Sequence, residues 1–326
     1  MGTVVRVPQT RDMLGEELSG DEAFTALRHY GGRKLLVDSF ARFRYADGFS
    51  SARSLGYQMV LGMVPFVIAL VGVATTLHTE SVGRAVELTL DGVVPGPSAD
   101  LVRQALANTR RSAGADDAGA VAIWLGLGFA LLNLASAMGQ IERGCNRIYG
   151  IERDRPFTAK YGRSILLTMA AGLPLGAGFL VIVAGRGMGR AVVQALHWPP
   201  SLLQWWQPLH VPLGVLLAAV ASAVIFRWAP RRDQPGYTWL AFGSGVHLLL
   251  WVAATLLLGL YVDLTGSFGA LYGPLTAFVA LLLWSNVAGV ALFLGIAFSA
   301  QLEAARAGIT APVHPDPGSG DPESGP

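Results

Sequence analysis

Charge is scarce in this sequence. Only 14% of its 326 residues are Asp, Glu, Lys or Arg, where about 25% is usual for soluble domains. Lysine is almost missing: Lys34 and Lys160 are the only two among 24 basic residues, a bias that points to a GC-rich coding sequence. Cys145 stands alone, which excludes an intrachain disulfide and any multi-cysteine metal site. A net charge of +2 provides no global field to attract nucleic acid. The sequence has no HExxH, no GxSxG, and no GxxxxGK run followed by Ser or Thr. Gly185-Arg186-Gly187-Met188-Gly189 is glycine-rich, but it follows an apolar stretch, the wrong setting for a nucleotide. Carboxylates cluster at Asp116-Asp117, at Glu152 and Asp154 amid arginines, and in the tail. A two-metal hydrolase needs several acidic ligands in one pocket, and no such set is visible. Neither an enzyme nor a cofactor is expected. The first 54 residues hold no apolar run, so a cleaved signal peptide is not expected either.

Apolar surface is what the sequence has in excess. Hydrophobic residues make up 52%, and 40 glycines raise that to roughly 64%, against about 45–50% on the same basis for soluble domains. A bilayer accounts for this. A spanning helix needs about 20 mostly apolar residues, and six stretches qualify: Leu55–Leu77, Gly119–Gly139, Ser164–Gly185, Val211–Phe226, Trp239–Val262 and Pro274–Ala300. The fourth is short, and misreading it would change the count to five or seven. The expected fold is an all-α polytopic bundle of six transmembrane helices, residues 55–300, between a cytoplasmic segment (1–54) and a cytoplasmic tail (301–326).

Orientation follows the distribution of Lys and Arg. With the N-terminus inside, 18 of the 24 basic residues fall on the cytoplasmic side, so both termini are expected there. Arg33 to Arg44 places Leu36, Phe40 and Phe43 on one face among basic residues, as in a helix lying on anionic lipid; a solvated linker helix is the plainer alternative. From about residue 311 the tail, APVHPDPGSGDPESGP, is expected to be disordered. Outside, short amphipathic helices are expected at Ser81–Leu90 and Ala99–Arg110. Trp198, Trp205 and Trp206 within His197–His210 read as an interfacial aromatic belt.

Within the spans, small and polar residues form stripes. Gln58, Gly62, Pro65, Ala69, Gly72 and Thr76 share one face of the first; Gly126, Ala130, Asn133, Ala137 and Gln140 share one face of the second. Gly243, His247 and Trp251 align in the fifth, and Asn286 and Gly289 in the sixth. Such stripes serve close helix packing or line a polar cavity. The candidate cavity residues are Gln58, Asn133, Gln140, His247 and Asn286. Pro65 and Pro174 fall in mid-span and are expected to kink their helices. Arg147, Arg153, Arg155, Arg227, Arg231 and Arg232, from two cytoplasmic segments, are candidates for binding anionic lipid head groups; the alternative is that they only set topology. No metal site is expected, and the oligomeric state is open.

Four stretches together resemble the YihY/BrkB family of bacterial inner-membrane proteins, over about residues 40–306. They are the first span around Tyr57 and Pro65; CNRIYGIERDRPF from Cys145 to Phe157; Phe226-Arg227-Trp228-Ala229-Pro230-Arg231-Arg232; and Tyr261 to Trp284 with its Tyr272-Gly273 pair. Two positions depart from the pattern. Gly62 stands where relatives often have Ser, and Gly295-Ile296-Ala297 replaces a common Gly-Ala-Glu. The resemblance implies a plasma-membrane protein of envelope integrity, associated in relatives with virulence, serum resistance and lipid or lipopolysaccharide export. An older ribonuclease label for the family is at odds with the missing acidic site. The expected function is a transporter or flippase of a lipid or amphiphile. The alternative is a non-transporting scaffold for envelope assembly.

Overall fold

The computed structural model describes residues 3–9, 19–76, 116–151, 157–178, 201–264 and 276–314, with isolated positions between 181 and 199. The outer amphipathic helices expected at 81–110 lie outside these residues, as does Trp198.

Eight helices carry the described chain: α1 (Gly20–Tyr30), α2 (Gly32–Tyr45), α3 (Gly48–Thr76), α4 (Asp116–Ile148), α5 (Phe157–Leu167), α6 (Leu202–Trp228), α7 (Tyr237–Leu264) and α8 (Thr276–Arg306). A π-helical turn, Thr168–Gly172, follows α5, and helix resumes over 173–178. The wide turn falls just before Pro174, which has no N–H to donate and whose ring crowds the preceding turn; one extra residue per turn relieves that conflict. Among the described residues, three helices are long and apolar enough to cross a membrane: Leu202–Trp228, Tyr237–Tyr261 and Phe278–Arg306. The outer face of α7 is apolar: Leu249, Leu256 and Leu257 are each about two-thirds exposed, as suits lipid rather than water.

The fourth stretch, expected as a short span over 211–226, is a helix of 27 residues. It takes in Trp205, Trp206, Pro208 and Pro212, so part of the expected belt is the first turns of α6. The helix continues although each proline forfeits one backbone bond; Trp206 Nε1 donates to the carbonyl of Gly185 and braces the segment.

The bundle is assembled through the small-residue faces. α3 packs between α4 and α8, and α7 packs on α8. A side chain at Gly56 would meet the Asn286 backbone at 3.0 Å, one at Gly289 the Ala52 carbonyl at 3.1 Å, and one at Gly62 would touch Asn133 at 3.4 Å.

A cap closes one end. Ser19 and Glu22 form a capping box that starts α1, and Glu22 also pairs with Arg306 at 3.1 Å, tying α1 to the end of α8. Gly31, at φ 85°, turns the chain into α2. There Leu35, Ser39, Arg42 and Phe43 form the buried stripe, at the i, i+4, i+7, i+8 spacing of a packed helix face. Phe43, expected beside lipid, is therefore fully buried, whereas Leu36 and Phe40 are about half exposed. Residues 311–314, expected to be disordered, are paired instead. Val4 and Val313 form an antiparallel bridge, Val5 N donates to the Pro312 carbonyl at 3.0 Å, and His314 N donates to that of Thr3 at 2.8 Å. This pairing joins distant segments of chain, so composition alone could not reveal it.

Candidate functional site

The end of α6 and the turn after it make one wall of a pocket in the cap. The Arg227 guanidinium folds back to donate to the carbonyls of Gln234 and of Pro235, the latter at 2.9 Å. Asn146, on the last turn of α4, accepts from the Arg231 backbone at 2.7 Å. Arg163 of α5 donates to the Trp228 carbonyl at 2.7 Å. The 229–236 turn is thus pinned from three sides. A cavity of about 400 Å³ results, lined by Arg163, Arg227, Arg231 and Arg232 with Gln9, Asp233 and Gln234.

Beneath it lies a buried polar network. The Arg232 side chain is 1% exposed and pairs with the fully buried Glu303 of α8 at 2.7 Å. It also donates to the Pro8 carbonyl at 2.9 Å and stacks over the Tyr149 ring at 4.6 Å. Tyr149 donates its hydroxyl to the other Glu303 oxygen at 3.2 Å. Burial, then the neighbouring carboxylate, holds the Tyr149 hydroxyl well above its usual range, so it remains a donor. Arg42 of α2 is wholly buried. It donates to Gln301 at 2.8 Å and to the carbonyls of Val5 and Ile148 at 2.9 and 3.0 Å. Burial lowers its guanidinium to about 10. Nearer the surface Tyr30 donates to Asp38 at 2.7 Å; burial first, then that bond, pushes it up to about 12.

The arginines expected to meet head groups therefore divide. Arg227, Arg231 and Arg232 come together at the pocket, although Arg232 is turned inward onto Glu303. Arg147 points elsewhere, into an exposed pair with Asp47 at 3.3 Å. Arg153 and Arg155 lie outside the described residues. Sequence reasoning missed Arg163 and Gln234 as site residues, and Glu303 as the support of Arg232. Arg163 directly precedes the third apolar stretch, and that position was the available signal. Ala297, where the resemblance suggests a carboxylate, is fully buried; Glu303, six residues on, supplies the buried carboxylate of α8.

The five polar residues within the helices form no part of this pocket's lining. Asn133 donates to the Phe129 carbonyl of its own helix at 2.8 Å, and the Asn286 backbone is the surface against which Gly56 packs. Gln140 is half-buried on the face of α4. Gln58 Oε1 and His247 Nδ1 are buried without a hydrogen-bond partner. His247 packs beside Gly295, nine residues along α8 from Asn286, about 13 Å. The structure brings Gln58, Asn133 and Asn286 onto the helices around α3 and sets His247 apart. Among the described residues, no group of three or more His, Cys, Asp or Glu is placed to hold a metal ion.

Residues 39–317 match the family model described as virulence factor BrkB. The chain belongs to the virulence factor BrkB family. The match takes in the whole pocket except Gln9. Among the relatives, a putative ribonuclease-like protein, YfkH of Bacillus subtilis, is 24% identical over 275 residues, 82% of this chain and 94% of that protein. UPF0761 membrane proteins of Chromohalobacter salexigens and Rhodospirillum centenum are 23% and 25% identical, over 82% and 92% of this chain. The BrkB-family chain covers 62% and 65% of those two proteins' lengths, less than two thirds. No solved structure matches it.

Proposed function

We propose that this BrkB-family protein moves an anionic lipid or amphiphile across the plasma membrane, engaging its head group at the arginine pocket. One observation carries the reading: basic residues from α5, α6 and the following turn converge on a single cavity at the end of a candidate span. Isolated topological anchors need no such convergence; an anion binder does. The chain crosses six times, with residues 1–54 and 301–326 in the cytoplasm. The Val4–Val313 bridge supports this, because it holds residues 3–9 and 312–314 on one face of any bilayer, as an even number of crossings requires. Leu36, Val37 and Phe40, exposed on α2 beside Arg33 and Lys34, suit an inner leaflet with anionic head groups. The unpartnered atoms of Gln58 and His247 support a polar path through the helices, with Asn133, Gln140 and Asn286. The protein is read as non-enzymatic.

The test is reconstitution in vesicles carrying fluorescent phosphatidylglycerol, with quencher added outside. The intact protein should speed loss of the inner-leaflet signal. Arg163→Gln should slow it about tenfold, the scale of losing one charge-assisted bond. If the protein-containing vesicles match empty ones, movement is excluded and the scaffold reading stands.

A further inference from the structure

We propose that the arginine pocket is a built oxyanion site that takes a phosphate group, with Arg163, Arg232 and Gln234 as donors. The proposal deepens the reading above by naming the head-group chemistry, and it rests on that same pocket. Three lining residues carry buried polar atoms with no hydrogen-bond partner: Arg163 Nε, Arg232 Nη1, and both amide atoms of Gln234. Burying such atoms unpaired is unfavourable, and a polar occupant of the cavity would give them partners. Gln234 is the most telling, being only 5% exposed with its acceptor Oε1 unpaired.

Chemistry narrows the occupant. Asp233 on the lining and Glu303 beneath it offset two of the four arginine charges, so the pocket is suited to an anion of one or two charges. Other guanidinium N–H groups are spent on the carbonyls of Trp228, Pro8 and Pro235. Those bonds fix the arginines in place before any ligand arrives, which lowers the cost of binding. Donors from three residues match the several acceptor oxygens of a phosphate better than the two of a carboxylate. The free Gln234 Oε1 takes a hydroxyl, either of a protonated phosphate or of the group esterified to it. About 400 Å³ exceeds what a bare ion fills and falls within the range of small-ligand sites. A lipid head group and a free phosphate ester share this chemistry.

The experiment follows the unfolding temperature of the full-length protein in detergent. Inorganic phosphate is titrated against sodium chloride at matched ionic strength, and a parallel series adds phosphatidic acid or phosphatidylcholine to the micelles. Phosphate should raise the unfolding temperature by several degrees beyond chloride. Arg163→Gln should weaken the apparent phosphate affinity about tenfold, while Arg53→Gln, an exposed arginine elsewhere, leaves it unchanged. Gln234→Leu removes the buried unpaired amide, so it should raise the unfolding temperature without phosphate and abolish most of the response to it. This second variant keeps the test valid should Arg163→Gln fail to fold. A stronger response to phosphatidic acid than to inorganic phosphate identifies a lipid ligand; the reverse identifies a soluble one. No response beyond chloride to either phosphate or phosphatidic acid in the intact protein, or a full response in Gln234→Leu, overturns the site. A phosphate response without lipid movement in vesicles keeps the site and removes the transport reading. Lipid movement without either response removes the site alone.

Discussion

Arg42 and Arg147 differ in what surrounds them, and that difference sets what each contributes. Arg42 is enclosed and serves Gln301 and the carbonyls of Val5 and Ile148. Replacing it with Met would leave three buried acceptors without a donor, each costing about 1–3 kcal/mol. Arg42→Met should therefore lower stability by about 3–5 kcal/mol, the scale of a broken buried ionic network. Arg147 is an exposed partner of Asp47, with 55% of its side chain accessible. Arg147→Gln should change stability by less than about 1 kcal/mol. Denaturant titration in detergent distinguishes them, and equal effects would show that the buried network contributes little. Both read in the sequence as cytoplasmic positive charge. Nothing local marks Arg42 for burial, because its acceptors lie at residues 5, 148 and 301. The same applies to Glu303, whose carboxylate became meaningful only once Arg232 and Tyr149 were placed beside it. By contrast, Arg227 and Asn146 were signalled by the motifs around them, and each pins the turn between α6 and α7.

Helices α7 and α8 meet backbone to backbone. A side chain at Gly243 would collide with Ser299 Oγ and lie 2.7 Å from the Gly295 carbonyl. Gly245, two residues on, faces open space. Gly243→Ala should destabilise by about 1–3 kcal/mol through overpacking, whereas Gly245→Ala should be neutral or gain up to about 1 kcal/mol of helix propensity. Thermal unfolding of the two variants checks this; a Gly243→Ala protein as stable as the parent would mean the helices are further apart. The stripe containing Gly243 was visible in the sequence, as were those of α3 and α4, because period 3.6 is a local signal. Element ends were less legible. α4 runs on to Ile148 and carries Gln140 and Asn146 with it, and α6 begins at Leu202 despite two prolines. Hydropathy marks where lipid ends, whereas a helix continues as long as its polar turns find partners in the cap.

At the scale of the molecule, the cap joins segments some 300 residues apart. Val4 and Val313 face each other as antiparallel neighbours, at a spacing of about 4.5–5.5 Å between Cα atoms that suits a disulfide. With Cys145→Ser as background, Val4→Cys combined with Val313→Cys should form an intrachain disulfide under mild oxidation of purified protein. Pairing Val4→Cys with Leu256→Cys, on the outer face of α7, should form none. Failure of the first pair would dissolve the junction, and with it the placing of both segments on one side. Because that junction recruits residues 312–314 and follows α8, it can close only after the chain through residue 314 has been made and α8 is in place. Until then Arg232 lacks Glu303 and Arg42 lacks Gln301. A chain stopped before α8 therefore leaves both arginines without the partners that α8 supplies.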